Sequence, residues 1–127
     1  MYLIGASHPH KTDAQLMLEG CFMKRRSLVT DAEVFQEILH RFVAINRLDG
    51  IGPAFEVLSE SVDEVFPITH ADVCSAREIL AGSPFLSARD AIHLAIMEHH
   101  GVRSIMTFDR SFDRFPKVSR IRTPDDI

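Results

Sequence analysis

Short apolar runs alternate with longer segments in which apolar residues recur every three or four positions. The runs predict strands at 27–30, 63–69, 102–108 and 118–121. The longer segments predict helices at 53–61, at 70–81 and from Ser87 to about His100, and a first helix up to about Arg26 that is broken near residues 8–10. They also predict a helix that begins with Asp31 as its N-cap and ends at about Leu48. Strands separated by helices favour an α/β fold in which helices cover both faces of a parallel sheet.

Composition narrows the class of protein. A chain of 127 residues is typical of one domain, and a net charge of −4 argues against a generally basic coat for nucleic acid. Neither a signal peptide nor an apolar run of about 18–20 residues is found, so we expect a cytoplasmic protein that does not enter a membrane. A local basic stretch at 110–122 fits either a phosphate backbone or a solvated face, and its cations are Arg110, Arg114, Lys117, Arg120 and Arg122.

Three acids lie at the ends of apolar segments, where the strands and helices of a parallel sheet place ligand sites. Asp109 follows the predicted strand at 102–108, Asp90 is in the first turn of the helix that follows Ser87, and Glu37 is at the rim of an apolar helix face. Each acid also has a structural explanation. Asp109 suits a turn, Asp90 suits a helix cap with Ser87, and Glu37 suits an ion pair with Arg41.

Four segments together resemble the PIN-domain ribonucleases, and most closely the VapC-type toxins of toxin–antitoxin pairs. They are FLSARDAIHLAI (85–96), IMTFDRSFD (105–113), LVTDAEVFQEILHRF (28–42) and MYLIGA with HPHK at the N-terminus. The resemblance covers nearly the whole chain. It implies a three-layer α/β fold with a parallel sheet, an acidic pocket that binds Mg²⁺ or Mn²⁺, hydrolysis of RNA phosphodiesters, a homodimer, and neutralisation by a small antitoxin protein.

The resemblance also assigns roles to individual residues. Glu37, Asp90 and Asp109 correspond to the catalytic, metal-binding acids, and Asp113 is a weaker candidate for the same site. Thr107 corresponds to a supporting hydroxyl, and Arg110 and Arg114 are weak candidates for binding the RNA phosphates. Glu33 lies further than Glu37 from the apolar face of its helix. We therefore expect Glu33 to lie outside the site and to serve as a control position.

The N-terminus departs from the family pattern. The family's first strand is central in the sheet and ends in Asp, whereas this chain begins with Met-Tyr-Leu-Ile. We therefore expect an N-terminally truncated PIN-like domain that lacks this strand and its acid, and is marginally stable and inactive. A remnant that only binds a partner protein is the main alternative. A receiver-type phosphoacceptor domain is a weaker alternative, as is a zinc site, whose candidate ligands are His8, His10, His93, His99 and His100.

Overall fold

A computed structural model describes residues 2–4, 24, 26–107, 110–115 and 117–121, with only the backbone of 2–4, 110 and 111. The described strands are β1 (Tyr2–Ile4), β2 (Leu28–Asp31), β3 (Glu64–Phe66), β4 (Ser104–Met106) and β5 (Ser119–Ile121). The described helices are α1 (Ala32–Ala44), α2 (Ile51–Ser61), α3 (His70–Gly82) and α4 (Ala88–His99), with short 3-10 turns at Leu48–Gly50 and Arg110–Arg114.

All five strands form one parallel sheet in the order β3-β2-β1-β4-β5. Because every strand runs in the same direction, Asp31 at the end of β2 and Thr107 directly after β4 lie at the same edge of the sheet. This carboxyl edge is where parallel α/β sheets bind their ligands. The predicted α/β class and parallel sheet are confirmed.

The centre of the sheet corrects one expectation. We expected the central strand to be missing, but Tyr2–Ile4 pairs with β2 on one side and with β4 on the other. The predicted helix at the N-terminus is therefore wrong at these residues, and positions 5–23 lie outside the described residues. A gap between β2 and β4 would leave backbone N–H and C=O groups unpaired, and the apolar tripeptide Tyr-Leu-Ile fills it. The three residues of β1 include no acid, and truncation of the domain stays a prediction.

Local side-chain caps set where the helices begin. The Asp31 carboxylate accepts a hydrogen bond from the backbone N–H of Val34, and the Ser87 hydroxyl accepts one from the N–H of Asp90. Both caps were expected from the sequence. The C-terminus of α1 comes earlier than predicted, because Asn46 has a φ of 56°, a left-handed conformation that ends a helix.

Helix α4 is the centre of the core. Its residues from Ala91 to Met97 are buried except Ile92, as expected of a helix that is apolar nearly all round. Among them, Leu94, Ile96 and Met97 share a cluster with Val29 of β2, Ile105 of β4 and Phe66 of β3. No helix in the described part of the chain is long and apolar enough to cross a membrane.

A polar contact ties α3 to α4. The buried carboxylate of Asp72 accepts hydrogen bonds from the N–H (2.8 Å) and hydroxyl (2.9 Å) of Thr69, while the Thr69 hydroxyl caps the N–H of Asp72. The other oxygen of Asp72 contacts Nδ1 of His99 at the end of α4, and Nε2 of His99 lies 3.2 Å from the Ser75 hydroxyl. This contact fixes how the two helices lie against each other.

Candidate active site

Asp31 connects the sheet to the candidate site. It ends β2, caps α1 and has no exposed surface. One carboxylate oxygen, Oδ1, lies 3.1 Å from the N–H of Val34, and the other, Oδ2, lies 2.5 Å from Nδ1 of His93 on α4. Asp31 is therefore a buried charge that is hydrogen-bonded on both oxygens, as a buried carboxylate requires. Its cap was predicted from the sequence, but its bond to His93 was not.

His93 bridges two carboxylates. Its Nδ1 faces Asp31, and its Nε2 lies 2.9 Å from Oε1 of Glu37 on α1. Since both partners only accept, both ring nitrogens donate and the ring is an imidazolium. Burial alone would lower the pKa of His93, but the hydrogen bonds and charges of the two carboxylates outweigh burial and raise it to about 10.

Glu37 occupies the position that the sequence predicted, at the rim of the buried face of α1. Its side chain is 16% exposed, against 3% for His93 and none for Asp31. The carboxylate thus lies where the buried ion pair meets the surface, within reach of a ligand. The structure records its hydrogen bond to His93 on one oxygen, Oε1.

Glu33 corrects a second expectation. Glu33 is buried rather than outside the site. The pKa of its carboxyl group responds to the charges of His93, Glu37 and Asp31. Burial raises the pKa of Glu33, and the nearby carboxylates raise it further, while His93 and Arg89 lower it. Glu33→Gln is therefore no neutral control for this site.

Asp90 is in the first turn of α4 and is half-buried. It stands three residues before His93, a spacing that places both side chains on the same helical face. Because His93 is bonded to Glu37, Asp90 borders the face of α4 that meets α1. The two helices thus bring Asp90 and Glu37 to the same part of the molecule.

The remaining predicted residues lie beyond β4. Thr107 is buried directly after the strand, and its carbonyl accepts a hydrogen bond from Arg120. Asp109 lies outside the described residues, as does the side chain of Arg110. Arg114 holds its guanidinium 4.4 Å above the centre of the Phe85 ring.

Asp113 has a structural partner. Both of its oxygens accept hydrogen bonds from the guanidinium of Arg120, at 2.8 and 2.9 Å. A paired, fork-like contact of this kind stabilises the turn at Arg110–Arg114 against β5. A metal-binding role for Asp113, which stays a prediction, would have to compete with this arginine.

The candidate zinc ligands are dispersed among other contacts. His93 lies between two acids, His99 contacts Asp72, and the ring of His100 stacks on Phe66 with 3.8 Å between centroids. His8 and His10 lie outside the described residues. Within the described ranges no group of three His, Cys, Asp or Glu residues is arranged to hold a metal ion.

Sequence reasoning missed His93 and Asp31 as members of the site. One signal was available, because a histidine in the middle of a helix that is otherwise apolar needs a polar partner once the helix is buried. The pattern does not reveal which acid provides that partner. Asp31 and His93 are 62 positions apart, and only the packing of α4 against the end of β2 brings them together.

A family model and individual relatives agree on the family to which this chain is similar. A model of the PIN domain matches residues 1–118. The chain is 54% identical over 121 residues to the VapC ribonuclease Mb1869c of Mycobacterium bovis and to ribonuclease VapC13 of Mycobacterium tuberculosis, an alignment that covers 95% of this chain and 92% of each relative. Ribonuclease VapC23 of Mycobacterium tuberculosis is 37% identical over 111 residues, covering 87% of both chains.

Solved structures support the same fold. A chain in the VapBC2 structure from Rickettsia felis bound to a promoter DNA fragment superposes with a TM-score of 0.69 at 11% identity, covering 94% of this chain and 96% of that one. A chain in the VapBC-1 structure from nontypeable Haemophilus influenzae gives 0.66 at 12% identity, covering 94% and 96%. At these identities the likeness concerns the fold alone.

Proposed function

The chain belongs to the PIN domain family, and we propose that it is a metal-dependent ribonuclease that acts as the toxin of a toxin–antitoxin pair. One observation supports this most directly. Glu37 and Asp90, two of the acids that correspond to the family's metal site, lie on adjoining helices that His93 links. The relatives that are 54% identical are named ribonucleases, which supports the same reaction here.

The donor chemistry fits a hard divalent cation. Carboxylate oxygens are the ligands that Mg²⁺ and Mn²⁺ prefer, and the proposed set is Glu37, Asp90 and Asp109. Two of these three acids belong to the described part of the chain, and both lie at or near the surface rather than in the core. A bound cation would supply Lewis-acid activation of water and would neutralise the charge that builds on the phosphoryl oxygens.

The chain's own residues have separate tasks in the proposed reaction. Glu37 and Asp90 provide negative charge on two helices, and His93 keeps one oxygen of Glu37 oriented. Arg114, held over the Phe85 ring, is the proposed contact for an RNA phosphate, because a guanidinium pairs well with phosphate oxygens. No side chain needs to become a covalent nucleophile.

An exposed apolar surface supports a protein partner. Large apolar side chains on and between α1 and α2 are 42–63% exposed, and they are Leu39, Val43, Ile45, Leu48 and Val57. Beside them the rings of Phe35 and Phe55 meet edge to face, 4.9 Å apart. Several large apolar side chains exposed on two adjoining helices are typical of a binding face. We propose that a small antitoxin helix covers it, and a second copy of the chain is the other candidate.

The test compares RNA cleavage by the wild type, Asp90→Asn and Glu56→Gln. Asn keeps the shape of Asp90 and removes the charge that attracts the cation, so Mg²⁺-dependent cleavage should fall about 100-fold or more, equivalent to about 2.7 kcal/mol in activation free energy. Glu56 is exposed on α2 and serves as the matched control, which should cleave normally. Full cleavage by Asp90→Asn would exclude the proposed metal site.

A catalytically inactive, protein-binding PIN domain is the second candidate. It is favoured by β1, which holds no acid, and by the exposed apolar surface of α1 and α2. Co-expression with a small antitoxin tests binding, and a cleavage assay with Mg²⁺ or Mn²⁺ tests catalysis. Binding of the antitoxin without cleavage by the wild type under either metal would select this second candidate.

A further inference from the structure

A chain of hydrogen bonds runs from the backbone to the edge of the candidate site. The N–H of Val34 donates to Asp31, His93 donates to Asp31 through Nδ1, and His93 donates to Glu37 through Nε2. Asp31 is the fixed end, because it is fully buried and is held by the backbone. Glu37 is the open end, because it is the only one of the three side chains that is appreciably exposed.

We propose that His93 is a positioning residue, which fixes the carboxylate of Glu37 in the orientation that binds the cation and ties Asp90 to it across the α1–α4 contact. The inference rests on the proposed metal-dependent function. A glutamate has three rotatable side-chain bonds, so a carboxylate at the rim of a helix samples many orientations unless a partner holds it. His93 provides that partner from a buried, rigid helix.

The location of His93 explains why it acts on both acids. It stands one helical turn after Asp90 on α4, while both of its hydrogen-bond partners belong to the segment of α1 and its cap. A shift of α4 along α1 would therefore break the bond to Glu37 and move Asp90 in the same step. Partners behind metal ligands commonly contribute about 10- to 100-fold to metal affinity.

Two variants, each of which keeps a nitrogen donor near one of the two ring nitrogens, separate positioning from simple filling of the core. In His93→Gln the amide nitrogen overlies Nε2 and can still donate to Glu37, whereas in His93→Asn it overlies Nδ1 and can donate only to Asp31. We expect His93→Asn to lose about 10- to 100-fold in affinity for Mn²⁺, measured by calorimetry. His93→Gln should stay within a few-fold of the wild type, and His40→Gln, an exposed site on α1, is the matched control.

A double-mutant cycle shows whether His93 acts through Glu37. In a Glu37→Gln background, His93→Asn should no longer change the affinity for Mn²⁺. In metal-free protein, the carboxyl carbon signal of Glu37 in a ¹³C spectrum should shift in His93→Asn and stay in place in His93→Gln. This readout requires neither metal nor activity, and it reports on the Glu37 carboxylate itself rather than on how well the core is filled.

The outcomes distinguish the proposal from the function on which it rests. A wild type that neither binds Mn²⁺ nor cleaves RNA would overturn the metal-dependent function and, with it, this role for His93. Suppose instead that the wild type binds Mn²⁺ and cleaves RNA. The positioning role alone would then be overturned if His93→Gln and His93→Asn lost the same affinity for Mn²⁺, or if His93→Asn still lowered that affinity in the Glu37→Gln background. If circular dichroism shows that His93→Asn does not fold, His93→Gln alone provides the test. A loss of about 10-fold or more in its affinity for Mn²⁺ would then overturn the positioning role.

Discussion

The carboxylate of Asp72 offers a quantitative test of how α3 is joined to α4. Its side chain is 3% exposed and accepts two hydrogen bonds from Thr69, and one from His99. In Asp72→Asn the amide oxygen can still accept from Thr69. The amide nitrogen replaces the second oxygen, however, and cannot accept from His99.

The magnitude follows from the bond that is lost. A hydrogen bond to a charged group contributes about 1.5–3 kcal/mol, so Asp72→Asn should lower the free energy of unfolding by about 2 kcal/mol. With a urea dependence of about 2 kcal/mol per molar, the midpoint of unfolding should fall by about 1 M. Urea titrations followed by circular dichroism measure this directly. Asp49→Asn is the control, because its ion pair with Arg47 is exposed and should contribute little.

The effect should also depend on pH. Burial alone would raise the pKa of Asp72, but the hydrogen bonds from Thr69 and His99 hold it below the ordinary value of 3.8. A depressed carboxyl pKa stabilises the fold above the unfolded value, and this contribution is lost as pH falls through the folded value. The gap between the wild type and Asp72→Asn should therefore be constant near neutral pH and shrink below about 3.8. An unchanged midpoint, or a gap that persists at low pH, would refute this account of Asp72.

Two further substitutions test other parts of the structure. Glu33→Gln should raise the urea midpoint at neutral pH, because it removes a buried charge that lies near Glu37 and Asp31; a lower midpoint would show that the charge of Glu33 is needed. Gly101→Ala should lower the free energy of unfolding by about 1 kcal/mol, since Gly101 ends α4 with a φ of 68° that an alanine adopts at a cost. Equal thermal melts of Gly101→Ala and the wild type would contradict that cost.

Local features of the sequence determined much of the fold. The alternation of apolar runs and helical patterns predicted β2, α1 to α4, β3, β4 and β5, with differences mainly at their ends. The caps at Asp31 and Ser87 were predicted because a cap involves residues only three positions apart. Glu37 and Asp90 were singled out for a similar reason. The place of each acid on its own helix follows from the residues nearby in the sequence.

Tertiary structure alone decided how the candidate site is held together. A periodic pattern indicates which face of a helix is buried, but it does not indicate what that face contacts. Glu33 was expected to lie outside the site, and the packing of α4 against α1 brought it within the electrostatic influence of His93. Likewise, Tyr2–Ile4 forms the central strand, where its backbone pairs with both β2 and β4. Without it, backbone N–H and C=O groups of both neighbouring strands would lack partners. The pairing of His93 with Asp31 and Glu37 joins residues 62 and 56 positions apart, and such contacts exist only once the chain has folded.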